Sequence, residues 1–267
     1  MHRHRRRAYT LVGLLVALAC LAILFAIGLT ALNKAGTGGG STTKSSVNSF
    51  TDQMALASLY QSMSVAALDN DGRFIVPSEV AGSDDPALNT TANLYSAMVA
   101  QEYIMPAQLV SANEYSPYVE ADDDYDFFSY QPALGSYWDP DFVADLEVRS
   151  NVSYAHMPLY GERLRRYWGA GFDPNEPLIG NRGPEDGKED PDSHTYGRYA
   201  RWGGHVVFGD GSIRYLQGFV PPNVSYVRDG TIWPDNIFSV DDGLDGTDAI
   251  LAFTKAMTED GPQLQFD

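Results

Sequence analysis

The densest concentration of ion-binding groups is Asp241-Asp242-Gly243-Leu244-Asp245-Gly246-Thr247-Asp248, with four carboxylates and two glycines in eight positions. Hard oxygen ligands on a tightly turning loop suit calcium, so Asp241, Asp242, Asp245 and Asp248 are the candidate metal ligands, although Gly243 breaks the match to an EF-hand loop at its third position. The competing expectation is a solvated turn that caps a helix over 248–257, since Asp is a favoured N-cap. A second cluster, Asp122 to Asp126, reads as a solvated face, because crowded like charges are cheapest in water. His156 lies three residues after Ser153, yet no G-x-S-x-G elbow or orienting acid accompanies them, so His156 reads as structural. His194 and His205 lack the spacing of a zinc pair. Arg163, Arg165, Arg166, Arg198 and Arg201 alternate with Tyr167, Trp168, Tyr199 and Trp202. Their expected use is stacking and salt bridging within an acidic body.

These groups need elements to hold them. Phe50, Met54, Leu56, Leu59, Tyr60, Met63, Val65, Ala67 and Leu68 recur at helical spacing, which predicts a helix starting near Ser49 or Thr51 and ending at the Asp69-Asn70-Asp71-Gly72 turn. Arg73 to Ser78 then reads as extended. A second amphipathic helix is expected over 89–101 around Leu94, Tyr95, Met98 and Val99. Residues 117–140 are acidic and aromatic without alternation, and predict irregular loops around buried rings. Short strand-like pieces follow near 152–157. Between Trp202 and Leu216 two β-prone runs flank Gly209-Asp210-Gly211, which predicts a hairpin. The whole predicts an α+β body with a small antiparallel sheet.

Composition narrows the function classes. Of 267 residues, 44% are hydrophobic, 35 are acidic and 18 basic. Four of the basic residues, Arg3, Arg5, Arg6 and Arg7, crowd the extreme amino terminus, leaving 14 against 35 beyond them. Such a body repels phosphate backbones and excludes nucleic acid as an expected partner. The single cysteine, Cys20, excludes an intrachain disulfide and a cysteine zinc site.

From Ala8 to Leu32 runs an apolar stretch without a formal charge. At about 1.5 Å per residue it is long enough to cross roughly 30 Å of hydrocarbon, and longer than the apolar core of a signal peptide. Basic residues before it and an acidic body after it place the amino terminus in the cytoplasm and the body outside. The Gly/Ser/Thr stretch from Asn33 to Ser46 reads as a flexible connector.

The segment Arg6-Arg7-Ala8-Tyr9-Thr10-Leu11-Val12-Gly13-Leu14-Leu15-Val16 resembles the amino-terminal signature of bacterial type IV pilins and type II secretion pseudopilins. The resemblance implies a basic leader (1–8), a transmembrane helix (9–33) and an extracytoplasmic, pilin-like α+β head (49–267); the Gly/Ser/Thr linker between them (34–48) departs from the family, whose first helix usually continues into the head. It also implies cleavage by prepilin peptidase between Ala8 and Tyr9, methylation of Tyr9, a single-pass protein of the bacterial inner membrane, and as partners other pilin-like subunits and the inner-membrane assembly platform. Ala8 stands where the family usually has Gly. Gly13 stands where it has the glutamate that neutralises a neighbouring subunit's amino terminus, so the resemblance implies a minor subunit rather than a bulk one, with an assembly role and no catalysis. Asp69-Asn70-Asp71-Gly72-Arg73-Phe74 with Pro77-Ser78 resembles pilin-like proteins of planctomycete type. The 202–216 hairpin resembles the carboxy-terminal motif of the His-x9-Asp-Gly prepilin-processing-associated proteins, with Ala200 at the family's histidine position. Residues 107–195 fall outside these resemblances. The alternative from another class is a membrane-anchored extracytoplasmic enzyme or ligand-binding protein that shares only the targeting segment.

Overall fold

The leading helix, α1 (Thr42–Ala67), begins seven residues ahead of Ser49, so positions 42–48 of the expected connector are helical. The structure is a computed structural model and describes residues 42–171, 173–188 and 202–267. The leader, the 9–33 span, Ala8, Tyr9, Gly13, Cys20, His194, Arg198, Tyr199, Ala200 and Arg201 lie outside the described residues. Among the described residues no helix is long and apolar enough to cross a membrane.

Leu56, Leu59, Met63, Ala66 and Ala67 form the buried stripe of α1, while Phe50, Met54, Val65 and Leu68 face outward. That is the three-to-four spacing of one helix face. After Ala67 the chain turns through Asp69–Gly72. Gly72, at φ +82°, returns its N–H to the Ala67 carbonyl at 2.9 Å, a left-handed stop that favours glycine. The extended stretch from Arg73 gives way sooner than expected to a single helical turn, α2 (Pro77–Val80).

The second predicted helix is α3 (Thr91–Ala100), N-capped by Thr90, whose hydroxyl accepts from the Asn93 N–H at 3.2 Å. It is not amphipathic. Ser96, Ala97 and Ala100 are buried together with Leu94, Tyr95, Met98 and Val99, so α3 is a central helix covered on nearly every side. Residues 117–140 are irregular apart from two 3-10 turns, Phe127–Ser129 and Pro132–Leu134. Of the rings there, Tyr125 is buried but Phe127 and Phe128 are exposed, contrary to expectation.

The strands are short: β1 (Ala144–Asp145), β2 (Arg149–Ser150), β3 (Tyr154–His156), β4 (Pro177–Asn181), β5 (Gly204–Phe208), β6 (Ile213–Leu216), β7 (Ser225–Arg228), β8 (Thr231–Pro234), β9 (Phe253–Thr258) and β10 (Gly261–Gln265). The largest sheet is antiparallel in the order β3-β4-β5-β6, with α4 (Gly161–Arg166) in the β3–β4 connection. β1–β2, β7–β8 and β9–β10 are separate two-stranded ribbons. Residues Ser49–Asp267 form one unit. Its core joins the α1 stripe and α3 to Tyr154, Leu178, Ile179, Val206, Val207 and Phe208 of the sheet.

The expected helix over 248–257 is absent. Ala249 to Phe253 is buried throughout, and the chain enters β9, which pairs with β10. A fully buried apolar run satisfies either period, and here the N–H groups of Ala249, Leu251 and Ala252 go to Asp235, Ile237 and His156 before β9 begins.

The predicted hairpin is β5–β6, with Gly204 opposite Leu216 and Val207 opposite Ile213. Asp210 accepts the Ser212 N–H at 2.9 Å and Gly211 sits at φ +79°. Those Ser212 bonds also hold the Asp210 carboxyl below its ordinary range. Gly209 lies against the Asp173 carbonyl, with no room for a Cβ, and its own carbonyl accepts from Tyr60 of α1 at 3.2 Å. The Asp-Gly pair thus locks a turn against the leading helix.

Candidate functional site

The four carboxylates of the acidic loop do not converge. Asp241 accepts from the Ser239 hydroxyl (3.0 Å) and the Asn236 N–H (3.3 Å), and Asp242 from the Thr247 N–H (3.3 Å). Asp248 accepts from the Asp241 N–H at 2.7 Å and is ion-paired with Arg163, both side chains fully buried. Asp245 contributes backbone, its carbonyl accepting the Glu162 N–H at 3.1 Å. Among the described residues no three His, Cys, Asp or Glu side chains form a group that could hold a metal. The loop is organised around a cation the protein carries itself. Arg163 donates to the carbonyls of Gly243 (2.9 Å), Leu244 (2.7 Å) and Asp248 (2.5 Å) as well as to the Asp248 carboxylate.

Arg163 therefore does not join a surface patch. Arg165 and Arg166 pair with Glu162 at the exposed face of α4. Trp168 is buried edge-on to Phe74 and donates to the Ile75 carbonyl at 2.9 Å. Trp202 donates to the Arg182 carbonyl at 2.8 Å.

His156 is fully buried. Its Nδ1–H donates to the Met157 carbonyl at 2.6 Å, which leaves Nε2 to accept from the Thr91 hydroxyl at 2.8 Å. Thr91 in turn accepts the Thr254 N–H at 2.7 Å, so the imidazole ties α3 and β3 to β9. Burial pushes His156 down to about 4 and keeps it neutral. Ser153 is bonded elsewhere, donating to Glu114 at 2.7 Å. The bonds of these two side chains are structural, as the sequence predicts for His156.

Asp122, Asp123, Asp124 and Asp126 stay at or near the surface, with Asp122 and Asp126 closing local turns onto Asp124 and Phe128.

Two buried networks escape the sequence reading. Asp52 of α1, with no exposed surface, accepts from Ser111 (2.5 Å) and Tyr154 (3.0 Å) and meets His205 Nδ1 at 3.3 Å. Burial pushes the Asp52 carboxyl up, but the bonds from His205, Ser111 and Tyr154 outweigh it and hold the group below its ordinary value. The available signal was positional, since Asp52 falls one turn before Leu56 on the inward stripe. The second network joins Arg182 to Glu114 through two bonds (2.5 and 2.8 Å) and to Asp267 at 2.8 Å, at the base of a cleft of about 350 Å³. Nothing local signals it, because its members come together only through folding.

Residues 3–29 match the model of the prokaryotic N-terminal methylation motif. No curated relative and no solved structure matches the chain. The match defines a pilin-like amino-terminal segment. The motif implies processing by prepilin peptidase, assembly with other pilin-like subunits in general, and a membrane anchor.

Proposed function

We propose that the chain is a minor, pseudopilin-type subunit of a type II secretion or type IV pilus-like system. Prepilin peptidase cuts between Ala8 and Tyr9 and methylates Tyr9. The apolar run 9–33 stays in the inner membrane with its amino terminus cytoplasmic, and the acidic head stands in the extracytoplasmic space as a surface for protein contacts. The observation that carries this reading is the methylation motif over residues 3–29, which spans the Ala8–Tyr9 junction. Gly13 assigns the minor position. Without a carboxylate there, a neighbouring subunit's ammonium would sit uncompensated in an apolar filament, at a cost of several kcal/mol. Where no neighbour lies above, as at a filament tip, that cost does not arise. Assembly rather than catalysis is supported by the head's chemistry, since Ser153, His156, Arg163 and Asp248 are spent on internal bonds.

The test is the intact mass and amino-terminal sequence of the protein from its native membrane. A chain beginning at N-methylated Tyr9 is the expected result. A chain that begins beyond the apolar run, or one that retains Met1, refutes the assignment and leaves an anchored or released head of another class.

A further inference from the structure

Three buried carboxylates from separate stretches lie within electrostatic reach of one guanidinium, that of Arg163 of α4: Glu176 just ahead of β4, Asp235 just after β8, and Asp248 at the end of the acidic loop, which is ion-paired with it. Four of the five N–H donors of Arg163 are committed, to three carbonyls and to Asp248. It makes no hydrogen bond to Glu176 or Asp235. Asp235 is 1% exposed and Glu176 8%. Asp235 Oδ2 accepts the Ala249 N–H at 2.6 Å, whereas Asp235 Oδ1 and Glu176 Oε1 are buried without a partner among the described residues. One guanidinium, already paired, faces two further carboxyl groups. Ionised, each would carry an unsolvated charge, and the two would repel each other; as neutral acids they avoid both costs.

We propose that Glu176 and Asp235 form a proton-loaded clasp, which holds the acidic loop 241–248 and the β7–β8 ribbon on the head while protonated and loosens them as the protons are lost. The loop is held from its other side by Arg163, and the ribbon has less to hold it. Val227, Ile232 and Trp233 of β7–β8 are exposed, and an isolated two-stranded ribbon is marginal in water. Asp235 fastens its end, through its own N–H to the Val224 carbonyl and through its carboxyl to Ala249.

The electrostatics agree with this geometry. Burial, then Asp248 and Asp241, push Asp235 up to about 7 against the Ala249 bond and Arg163. Burial, then Asp235, Asp173 and Asp248, push Glu176 well above the ordinary carboxylate range, with Arg163 opposing. Tyr167 and Tyr226 are the other titratable groups facing the cluster. An opened clasp would return Asp235 to the ordinary carboxylate value, so opening becomes about tenfold easier per pH unit between roughly pH 4 and 7, and Glu176 carries the trend higher.

The experiment is hydrogen exchange of the full chain in detergent micelles between pH 5 and 8.5, corrected for intrinsic exchange. Amides in 225–249 are expected to lose protection at least about tenfold per unit up to pH 7, while those of α3 hold theirs at every pH. The double variant Asp235→Asn with Glu176→Gln is expected to abolish the trend. Infrared spectra of the unmodified chain provide a reading that needs no variant: a protonated-carboxylic-acid band present at pH 6 and bleached by pH 9. Protection of 225–249 that is flat with pH overturns the proposal, as does a trend that survives in the double variant or absence of the acid band at pH 6. Saturable restoration of protection at pH 8 by calcium or magnesium chloride also overturns it, since the pair would then be a cation site.

Discussion

Replacing Arg163 by Met removes the one cation inside the acidic cluster while keeping most of its side-chain volume. The structure sets the size of the effect. Arg163 and Asp248 are both fully buried, so water cannot replace the lost partner, and the carbonyls of Gly243, Leu244 and Asp248 lose their donor at the same time. Breaking a buried pair in this way costs about 3–5 kcal/mol, on the order of a thousandfold in the folding equilibrium. That is a large share of the roughly 5–15 kcal/mol that holds a domain together. The assay is urea unfolding of the full chain in detergent, followed by the fluorescence of buried Trp168 and Trp202. The midpoint should fall with the slope unchanged. Adding Asp248→Asn to Arg163→Met should recover part of the loss, because the orphaned charge is then gone. Arg165→Met is the control: its pairing with Glu162 is exposed, and such pairs contribute little, so its midpoint should match the unmodified chain. A loss below about 1 kcal/mol in Arg163→Met would refute the view that this pair organises the loop.

Three further outcomes are expected. His156 ionises more easily unfolded, near 6.5, than folded, near 4, so its contribution is fully present above about pH 6.5 and falls by about 3 kcal/mol as pH drops to 4. Asp235 acts oppositely, its contribution being lost as pH rises from 3.8 toward 7. Denaturant titrations should therefore show stability rising with pH in the double variant Asp235→Asn with Glu176→Gln and falling with pH in His156→Gln, with the unmodified chain between them. Gly209→Ala should cost about 1–3 kcal/mol, because the added methyl overlaps the Asp173 carbonyl; an unchanged thermal midpoint would show that the turn can yield. Ala8→Arg should block processing, leaving the leader attached in the intact mass, since a bulky charged side chain then occupies a position for small residues.

Several features were legible because their causes are local. The methylation motif lies within one stretch, residues 3–29, together with its basic leader and small-aromatic junction. The α1 stripe from Leu56 to Met63 and the β-prone runs around Gly209-Asp210-Gly211 likewise need only neighbouring residues; the hairpin forms where the runs predict it, and the helix ends as expected but starts earlier, at Thr42. The Asp241–Asp248 loop was legible as a turn but not in its purpose. Its carboxylates have the composition of a cation site, yet the partner that captures Asp248 is Arg163, 85 positions away.

The sequence by itself determined the methylation motif, the acidic excess beyond the amino terminus and the principal periodic elements, since charge and hydropathy act over a few residues. Only the tertiary structure decided which polar groups are buried together. Asp52 meets His205 across 153 positions, and Glu114 meets Arg182 across 68. It also decided that the apolar run after Asp248 extends into β9 rather than a helix. The physical reason is shared. Burial multiplies the cost of an unpaired charge or backbone group, and which partners relieve that cost depends on what the fold brings within hydrogen-bonding distance, a relation that spacing along the chain does not encode.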